Sequence, residues 1–412
     1  MAVFIAGLAS CSKKDNTTVN NATVPASNPI APGNISGFVK GTFTTGNTYT
    51  ITGDLTIKPG DTLASQQGVT VVVKNNAQIF VQGTLNLVGT KSQPITFNSD
   101  NNKPGSWGGF YCDTMVSSVT IKWANIQNTG GPDPSGSPRG SIHISSVVPC
   151  NVDIEDSWIV NGQDDAMRLQ TQKGGDIAPT HLTILRNTIM SSGSTDGEAI
   201  NIKSGCTGDV AYNVVFSQAG TGVKLETASN KPFPQTKINV YNNTLVSNGW
   251  RRGNAEPGRG VSIGLNAIGN VFNNLMVDNY HGFELFPDAD TLHTTYGYNL
   301  FYSSADIFTD TTGGQHFVIN IRQNFYPSTG VAKPQSTDLI SNAINNMDPK
   351  FTSFDGIFYL PNGAATTNNF HLGSGSAASG KGTTSSFGSN GLVAIGSSDI
   401  GAYTSDGKGN QH

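Results

Sequence analysis

A short pattern of alternating residues recurs down the middle of this chain. Each copy has a small residue followed by apolar, variable, apolar and variable positions, as in Gly222-Val223-Lys224-Leu225-Glu226. Alternation with a period of two places the apolar side chains on one face of a β-strand and the variable ones on the other. Successive copies are 32, 25, 33, 23, 38 and 22 residues apart, which indicates a solenoid with insertions in three coils. The central variable positions are Tyr111, His143, Arg168, Asn201, Lys224, Ser262 and Glu284.

A second column of residues narrows the kind of solenoid. Each member follows a short alternating strand, such as Ile238-Asn239-Val240. Asn side chains stacked at a turn hydrogen-bond from one coil to the next and satisfy buried backbone groups. No helical period survives between the two columns, so helical and leucine-rich repeats fit poorly. The members of this column are Asp156, Asn187, Asn213, Asn243 and Asn274.

Together the two columns resemble the right-handed parallel β-helix of the pectate-lyase-like superfamily. The resemblance covers roughly residues 50 to 300 and implies an all-β, single-stranded solenoid. Residues 35–105 are predicted to form the N-terminal cap and first coils, residues 106–300 the central coils, and residues 301–412 the last coils and a C-terminal cap. Caps are expected because an open coil end exposes unpaired strand edges and apolar core. The fold hosts lyases, hydrolases, binders and adhesins, so function must be argued from side chains.

The N-terminus predicts a membrane anchor. Residues 1–11 end in Leu-Ala-Ser-Cys after an apolar run, which resembles the lipobox of a bacterial lipoprotein with Cys11 as the lipidated residue. Residues 12–34 are polar, contain three prolines and predict a flexible tether. Their first residues, Lys13, Lys14 and Asp15, also resemble the start of Bacteroidota-type lipoproteins. We therefore expect a monomeric outer-membrane lipoprotein, periplasmic or on the cell surface, that meets the membrane through its lipid alone.

Composition and cysteine spacing exclude several other classes of protein. The net charge of −4, with 13% charged residues, gives no footprint for nucleic acid. No apolar run reaches the roughly 18 residues that a membrane span requires. Besides Cys11 there are Cys112, Cys150 and Cys206, whose spacing matches no zinc or iron–sulfur pattern. One disulfide among these three stays open at this point.

Ionisable side chains concentrate on the outward face of the repeated strand. Three insertions, at 128–138, 191–196 and 250–257, all precede this strand, so we expect them along one rim of a groove. Trp250 and the two arginines after it are predicted to place an aromatic platform and two cations over the groove. A long groove of this kind suits an extended glycan. The charged residues of the face are Arg168, Lys203, Lys224 and Arg259, against Asp165, Glu198, Glu226 and Glu284.

The cations of this face predict an enzyme that cleaves a uronic-acid polysaccharide by β-elimination. Such a lyase needs a base, a cation that neutralises the carboxylate and a proton donor for the leaving oxygen, and Lys, Arg and His can fill these roles. The segment 196–204 is similar to alginate-lyase and chondroitinase-B type lyases, which implies Lys203 as the base and Lys224 where such lyases carry an Arg. It also implies a Ca²⁺ site, for which Glu198 and Glu226 are the candidates. The catalytic candidates are Lys203, Lys224 and Arg168; the substrate-binding candidates are Asn201, Glu226, Arg259, Trp250, Arg251, Arg252, His143, His281 and Glu284.

Two other functions stay open. Asp164-Asp165 resembles the paired-Asp motif of polygalacturonases, and a hydrolase of that type needs two carboxylates at a defined separation. Gly258-Arg259-Gly260 is similar to the Gly-His-Gly segment of that family, with Arg in place of His. A non-catalytic lipoprotein that binds glycan or acts as an adhesive spacer explains the same features, because charged ladders on a solenoid often form solvated ion pairs.

Overall fold

The computed structural model describes residues 27–171, 178–194, 196–227, 233–310, 316–354 and 366–412. Cys11 and most of the predicted tether lie outside the described residues. The described chain is an all-β, right-handed parallel β-helix, as predicted, and it contains no α-helix. Each full coil contributes one strand to each of three parallel ladders. The tether prediction is wrong at its end, because strand β1 (Gly33–Phe38) already begins at residue 33 and pairs with β3 (Thr48–Ile57).

The first ladder, here called the site ladder, carries the repeated pattern. Its strands pair in parallel, so that Tyr111 faces His143 and His143 faces Arg168. It begins with the end of β1, which pairs with the second half of β3. It continues through β6 (Ile79–Val81), β9 (Phe110–Cys112), β12 (Ile142–Ser146), β15 (Met167–Thr171), β18 (Ile200–Ser204), β21 (Val223–Leu225), β24 (Arg259–Ile263) and β27 (His281–Leu285).

The second ladder begins with the start of β1, which pairs with the first half of β3. It continues through β5 (Thr70–Val73), β8 (Ile95–Ser99), β11 (Ala124–Gln127), β14 (Trp158–Val160), β17 (Thr188–Met190), β20 (Val214–Phe216), β23 (Thr244–Val246), β26 (Leu275–Val277), β29 (Leu300–Tyr302) and β32 (Leu339–Ile340). The third ladder comprises β2 (Gly41–Phe43), β4 (Thr62–Ser65), β7 (Thr84–Val88), β10 (Ser118–Lys122), β13 (Asn151–Glu155), β16 (Thr180–Leu185), β19 (Cys206–Ala211), β22 (Lys237–Tyr241), β25 (Ile268–Phe272) and β28 (Thr295–Gly297).

The apolar positions of the repeated pattern fill the interior, as predicted. None of them is more than 3% exposed. Burying one such side chain contributes roughly 1.5–3 kcal/mol, which makes the register of every coil strongly preferred. These residues are Ile142, Ile144, Met167, Leu169, Ile200, Ile202, Val223, Leu225, Val261, Ile263, Phe283 and Leu285.

The predicted Asn ladder forms, with one error of register. The amide nitrogen of Asn213 donates to the side-chain oxygen of Asn243 at 3.0 Å and to the backbone oxygen of Ile184 at 2.9 Å. Asp156 does not belong to this ladder; it has a positive φ of 50° and pairs with Arg186 instead. The sequence interpretation assigned it one residue too early and missed the last member. The ladder runs through Asn187, Asn213, Asn243, Asn274 and Asn299.

A second amide ladder, which the sequence interpretation missed, lies after the second-ladder strands. The backbone N–H of Gln218 donates to the side chain of Asn248 at 3.0 Å, and the amide of Asn248 donates to Asn279 at 2.8 Å. All three side chains are buried. This ladder fixes the turns from which two of the three insertions begin.

The C-terminal region closes the solenoid and also covers one side of it. The hairpin β30 (Phe308–Asp310) and β31 (Phe317–Ile319) and the 3₁₀-helix Ile321–Asn324 adjoin the last coils; a second 3₁₀-helix, Gly253–Ala255, lies in the third insertion. From β20 onward most outward side chains of the second ladder are apolar, and the C-terminal residues bury them. This second core includes Phe216, Val246 and Leu275 against Phe370 and Ile400. Two hairpins complete the region, β33 (Phe351–Ser353) with β34 (Asn369–Leu372) and β35 (Ser386–Ser389) with β36 (Leu392–Ile395).

The thiols of Cys112, Cys150 and Cys206 are buried and unpaired with one another. Burial raises the pKa of each thiol, so all three are neutral small side chains of the core. In the part of the chain that the structure describes, no helix has the length and apolarity to cross a membrane.

Candidate functional site

A cavity of about 300 Å³ opens on the outward face of the site ladder, under the first insertion. Tyr111, His143 and Arg168 form its floor from three successive coils, in direct register. Adjacent coils bring such side chains about 4.8 Å apart. The cavity is lined by Gln78, Tyr111, Asp133, Pro138, Arg139, Gly140, His143, Asp164 and Arg168.

The rings of Tyr111 and His143 touch edge to face, with their centroids 4.9 Å apart. Burial and the nearby charge of Arg168 lower the pKa of His143 to about 4. The imidazole is therefore neutral at neutral pH and is able to exchange a proton with a ligand. The Nε2 atom of this ring lies 3.2 Å from the amide nitrogen of Gln170 on the next coil.

The guanidinium of Arg168 makes few polar contacts with other groups of the protein. Its nearest carboxylate oxygen, on Asp165, is 3.9 Å away, which is beyond hydrogen-bond distance. Its Nε atom has no hydrogen-bond partner among the described residues, and 39% of the side chain is exposed. By contrast, Arg252 contacts Asp196 at 3.0 Å and Glu198 at 3.2 Å. Arg168 is thus available to an anionic ligand.

Buried acids lie beside Arg168. Asp165 accepts hydrogen bonds from the backbone N–H of Glu198 at 2.8 Å and from the amide of Asn201 at 2.9 Å. Burial and the charge of Asp165 raise the pKa of Glu198 to about 8, although Lys224 and Arg252 act in the opposite direction. Burial also raises the pKa of Asp164, which lines the cavity. A carboxylate with a raised pKa is a stronger base than an ordinary one.

Lys203 and Lys224 form an ion-pair network next to the cavity, not in its lining. The Nζ atom of Lys203 lies 2.8 Å from Glu226, and that of Lys224 lies 3.2 Å from Glu226 and 3.8 Å from Glu198. These carboxylates raise the pKa of Lys224, although burial opposes them, which keeps the amine protonated. A protonated amine is a cation, as the predicted role of Lys224 in place of an Arg requires, and that role stays a prediction. The base role of Lys203 stays a prediction.

The rim does not carry the predicted aromatic platform. Trp250 is 1% exposed; its indole N–H donates to the backbone oxygen of Asp278 at 2.8 Å and its ring packs on Tyr280. Arg251 donates to the backbone oxygens of Gly193 and Ser192, so it ties the third insertion to the second. The second and third insertions therefore lie on one rim, as expected. Trp250 and Arg251 point into the protein, where they make apolar and backbone contacts, and do not face the groove.

The remaining predicted residues form a separate cluster at the far end of the ladder. Arg259 donates to Glu284 at 2.5 Å, and His281 Nδ1 lies 3.7 Å from the same carboxylate oxygen. Glu284 is fully buried, and its hydrogen bond from Thr329 holds a segment of the C-terminal region in place. This cluster therefore joins the last coils of the site ladder to the C-terminal region.

The residues proposed for Ca²⁺ do not fit that ion. Glu198 and Glu226 both contact Lys224, and Arg252 also contacts Glu198, so protein cations already occupy the positions that a metal would take. Among the described residues, no group of three or more acidic, His or Cys side chains is arranged to hold a metal ion.

Of the predicted site residues, His143 and Arg168 line the cavity together. The sequence interpretation left out Tyr111, Arg139 and Asp164 as candidates for the lyase site. Tyr111 stands directly before His143 in the outward column, which was a usable signal. Arg139 directly follows the first insertion, whose path no repeat predicts; in the cavity its Nη1 donates to the side-chain oxygen of Asn76 at 3.2 Å.

Residues 33–116 match the family model of a pectate-lyase like beta helix domain. No curated protein and no solved structure matches the chain. The matched stretch contains the first coils and Tyr111, and the parallel ladders continue the same architecture beyond it. The match supports a protein that acts on polysaccharides. The chain is a right-handed parallel β-helix, and its first coils are similar to a pectate-lyase like beta helix domain.

Proposed function

We propose that this protein is a lyase that cleaves a uronic-acid-containing polysaccharide by β-elimination in the cavity over Tyr111, His143 and Arg168. The observation that carries the proposal is that one cavity holds an available guanidinium, a neutral imidazole, a phenol and a carboxyl group, the last from Asp164. These are the group types that β-elimination of a uronate requires.

Arg168 has the role of neutralising the substrate carboxylate. A guanidinium is planar, and two of its N–H groups can donate parallel hydrogen bonds to the two oxygens of a carboxylate. Neutralisation makes the neighbouring C–H more acidic, because negative charge that develops on the carbon spreads onto the carboxylate. The weak contact of Arg168 with Asp165 leaves it free for this role.

Tyr111, His143 and Asp164 have the proton-transfer roles. The proton leaves the carbon beside the carboxylate for a base, and its electron pair forms the new double bond as the glycosidic oxygen departs. The departing oxygen takes the phenolic proton of Tyr111. Neutral His143 and the carboxylate of Asp164 can accept the carbon-bound proton. Asp133 also lines the cavity, but its carboxylate already accepts hydrogen bonds from Ser135 and Ser137. The base then releases its proton to solvent, and solvent protonates Tyr111 again.

Product chemistry tests the proposal. The full chain would be incubated with a panel of uronate polymers while ultraviolet absorbance and new reducing ends are both followed. Elimination produces both signals, because it creates a conjugated double bond at each cut. Reducing ends without absorbance would instead identify a hydrolase of the polygalacturonase type, and retention on an immobilised polymer without either signal would identify a glycan-binding or adhesive protein.

Anchoring at an outer membrane through a lipid on Cys11 remains part of the proposed function. The support is the sequence Leu-Ala-Ser-Cys at residues 8–11. Such an anchor would hold the solenoid at the periplasmic or outer surface, where polysaccharide is available.

A further inference from the structure

Gln170 makes the one hydrogen bond that a ring nitrogen of His143 receives within the described residues. Gln170 lies on β15, paired with Ser145 of β12, and its side chain turns back along the ladder. The amide nitrogen is 3.2 Å from His143 Nε2 and 3.4 Å from the hydroxyl oxygen of Ser145. An amide NH₂ group carries two donors and no acceptor. With the amide in this orientation His143 Nε2 accepts, and the single proton of the neutral ring lies on Nδ1.

We propose that Gln170 is a positioning residue that fixes His143 as the Nδ1–H tautomer, so that His143 donates a hydrogen bond to the substrate and Asp164 accepts the carbon-bound proton. This inference rests on the proposed lyase function, which left the role of base open between His143 and Asp164, and it assigns that role to Asp164. The hydrogen-bond partner of one ring nitrogen decides which nitrogen carries the proton in a neutral histidine.

The surroundings of His143 keep the ring neutral, which the tautomer argument requires. Tyr111 faces it from β9, Arg168 and Gln170 face it from β15, and Ser145 lies on its own strand. Arg139 and Asp164 line the same cavity. Arg168 disfavours a second positive charge beside it, and burial acts in the same direction. A carboxylate in the position of Gln170 would act against both effects and favour the protonated ring.

A donor at this place has a clear chemical use. His143 and Arg168 are direct neighbours in the ladder, so an Nδ1–H and a guanidinium can bind the same substrate carboxylate. Negative charge grows on that carboxylate as the proton leaves the carbon, and fixed donors stabilise it. The proton passes to Asp164, the electron pair forms the double bond, and the leaving oxygen takes the proton of Tyr111.

Nitrogen NMR of the full chain labelled with ¹⁵N-histidine tests the tautomer directly. The chain has 7 histidines, and a His143→Asn variant assigns the signals of interest. We expect protonated Nδ1 and unprotonated Nε2 in the wild type. In Gln170→Glu a carboxylate can only accept, so Nε2 should carry a proton. A wild-type ring with its proton on Nε2 would overturn the inference, whether or not the protein cleaves a polymer.

Turnover gives the second readout, with Gln127→Glu as the matched control. Gln127 lies on β11 of the second ladder, so this variant adds the same charge on another face. We expect Gln170→Glu to lower kcat about a hundredfold or more, because a wrong tautomer removes the donor, and Gln127→Glu to leave kcat unchanged. If Gln170→Glu keeps or gains turnover, His143 is the base and the inference is wrong while the lyase stands. If the wild type cleaves no polymer, the lyase proposal fails and the NMR pattern alone decides the role of Gln170.

Discussion

The ammonium of Lys203 lies 2.8 Å from a carboxylate oxygen of Glu226, and the other oxygen of that carboxylate lies 3.2 Å from Lys224. The lysine that the sequence indicated as a catalytic base is thus one end of a ladder of alternating charges. The ammonium groups of Lys224 and Lys203 lower the pKa of Glu226, although burial opposes them. The ladder stabilises the middle coils, and the cavity beside it holds the groups suited to proton transfer.

Replacing Lys203 with Gln should leave turnover nearly unchanged and lower stability. The Lys203 side chain is 28% exposed, so losing its ion pair should cost about 1 kcal/mol. Initial rates on a uronate polymer and thermal unfolding of the same preparation measure the two effects. A folded Lys203→Gln variant without turnover would restore the lysine as the base.

Replacing Arg168 with Gln should remove substrate recognition. We expect kcat/KM to fall about a hundredfold or more, since a preorganised donor to developing charge is typically worth that much. Thermal stability should change little, because Arg168 makes no close ion pair. Lys237→Gln, which removes one positive charge from the third ladder, is the control. Equal effects of the two variants would mean that net charge matters and the cavity does not.

Replacing Asn243 with Ala should break the Asn ladder. The side chain accepts from the backbone N–H of Asn213 at 3.0 Å and donates to Asn274 at 2.9 Å, and all of these groups are buried. Buried groups left unpaired cost about 1–3 kcal/mol each, so the free energy of unfolding should fall by several kcal/mol. Denaturant titration measures it, with exposed Asn151→Ala as the control. Similar losses in both variants would contradict a stabilising ladder.

Asp278 should make stability depend on pH. Burial raises its pKa from 3.8 to about 6, although Ser304 donates to it. Between these values the folded state binds more protons than the unfolded state, so stability falls as pH rises through this window. Asp278→Asn cannot ionise, and its stability relative to the wild type should therefore increase as pH rises from about 4 to about 7. Thermal unfolding across this range measures the trend. The control Asp100→Asn, at an exposed position, should show no such dependence on pH. A stability difference between Asp278→Asn and the wild type that does not change with pH would refute the argument.

Replacing Cys11 with Ala should release the protein from membranes. Lipidation requires the thiol of Cys11, and the attached acyl chains provide the membrane affinity of such a protein. Fractionation of cells that express each form measures the distribution. A Cys11→Ala protein that stays in the membrane fraction would exclude the lipobox interpretation.

The sequence by itself determined the coil. Strict alternation around positions such as Lys224 leaves one face apolar, and slipping a strand by one residue would expose that whole face to water. The Asn positions were readable for the same reason, since a repeated buried turn needs a repeated amide. Asp156 was misassigned because a turn of this kind allows a polar residue at either of two adjacent positions, and only backbone pairing distinguishes them.

The tertiary structure alone decided which outward residues form a site. Sequence placed Tyr111, His143, Arg168 and Lys203 on one face, but their side chains choose partners from other coils and from insertions of variable length. Lys203 forms an ion pair with Glu226, whereas the carboxylate nearest to Arg168 lies beyond hydrogen-bond distance. Trp250 turns inward because its loop folds back over apolar residues far along the chain. Such contacts depend on loop paths and side-chain competition in three dimensions, which a linear repeat does not encode.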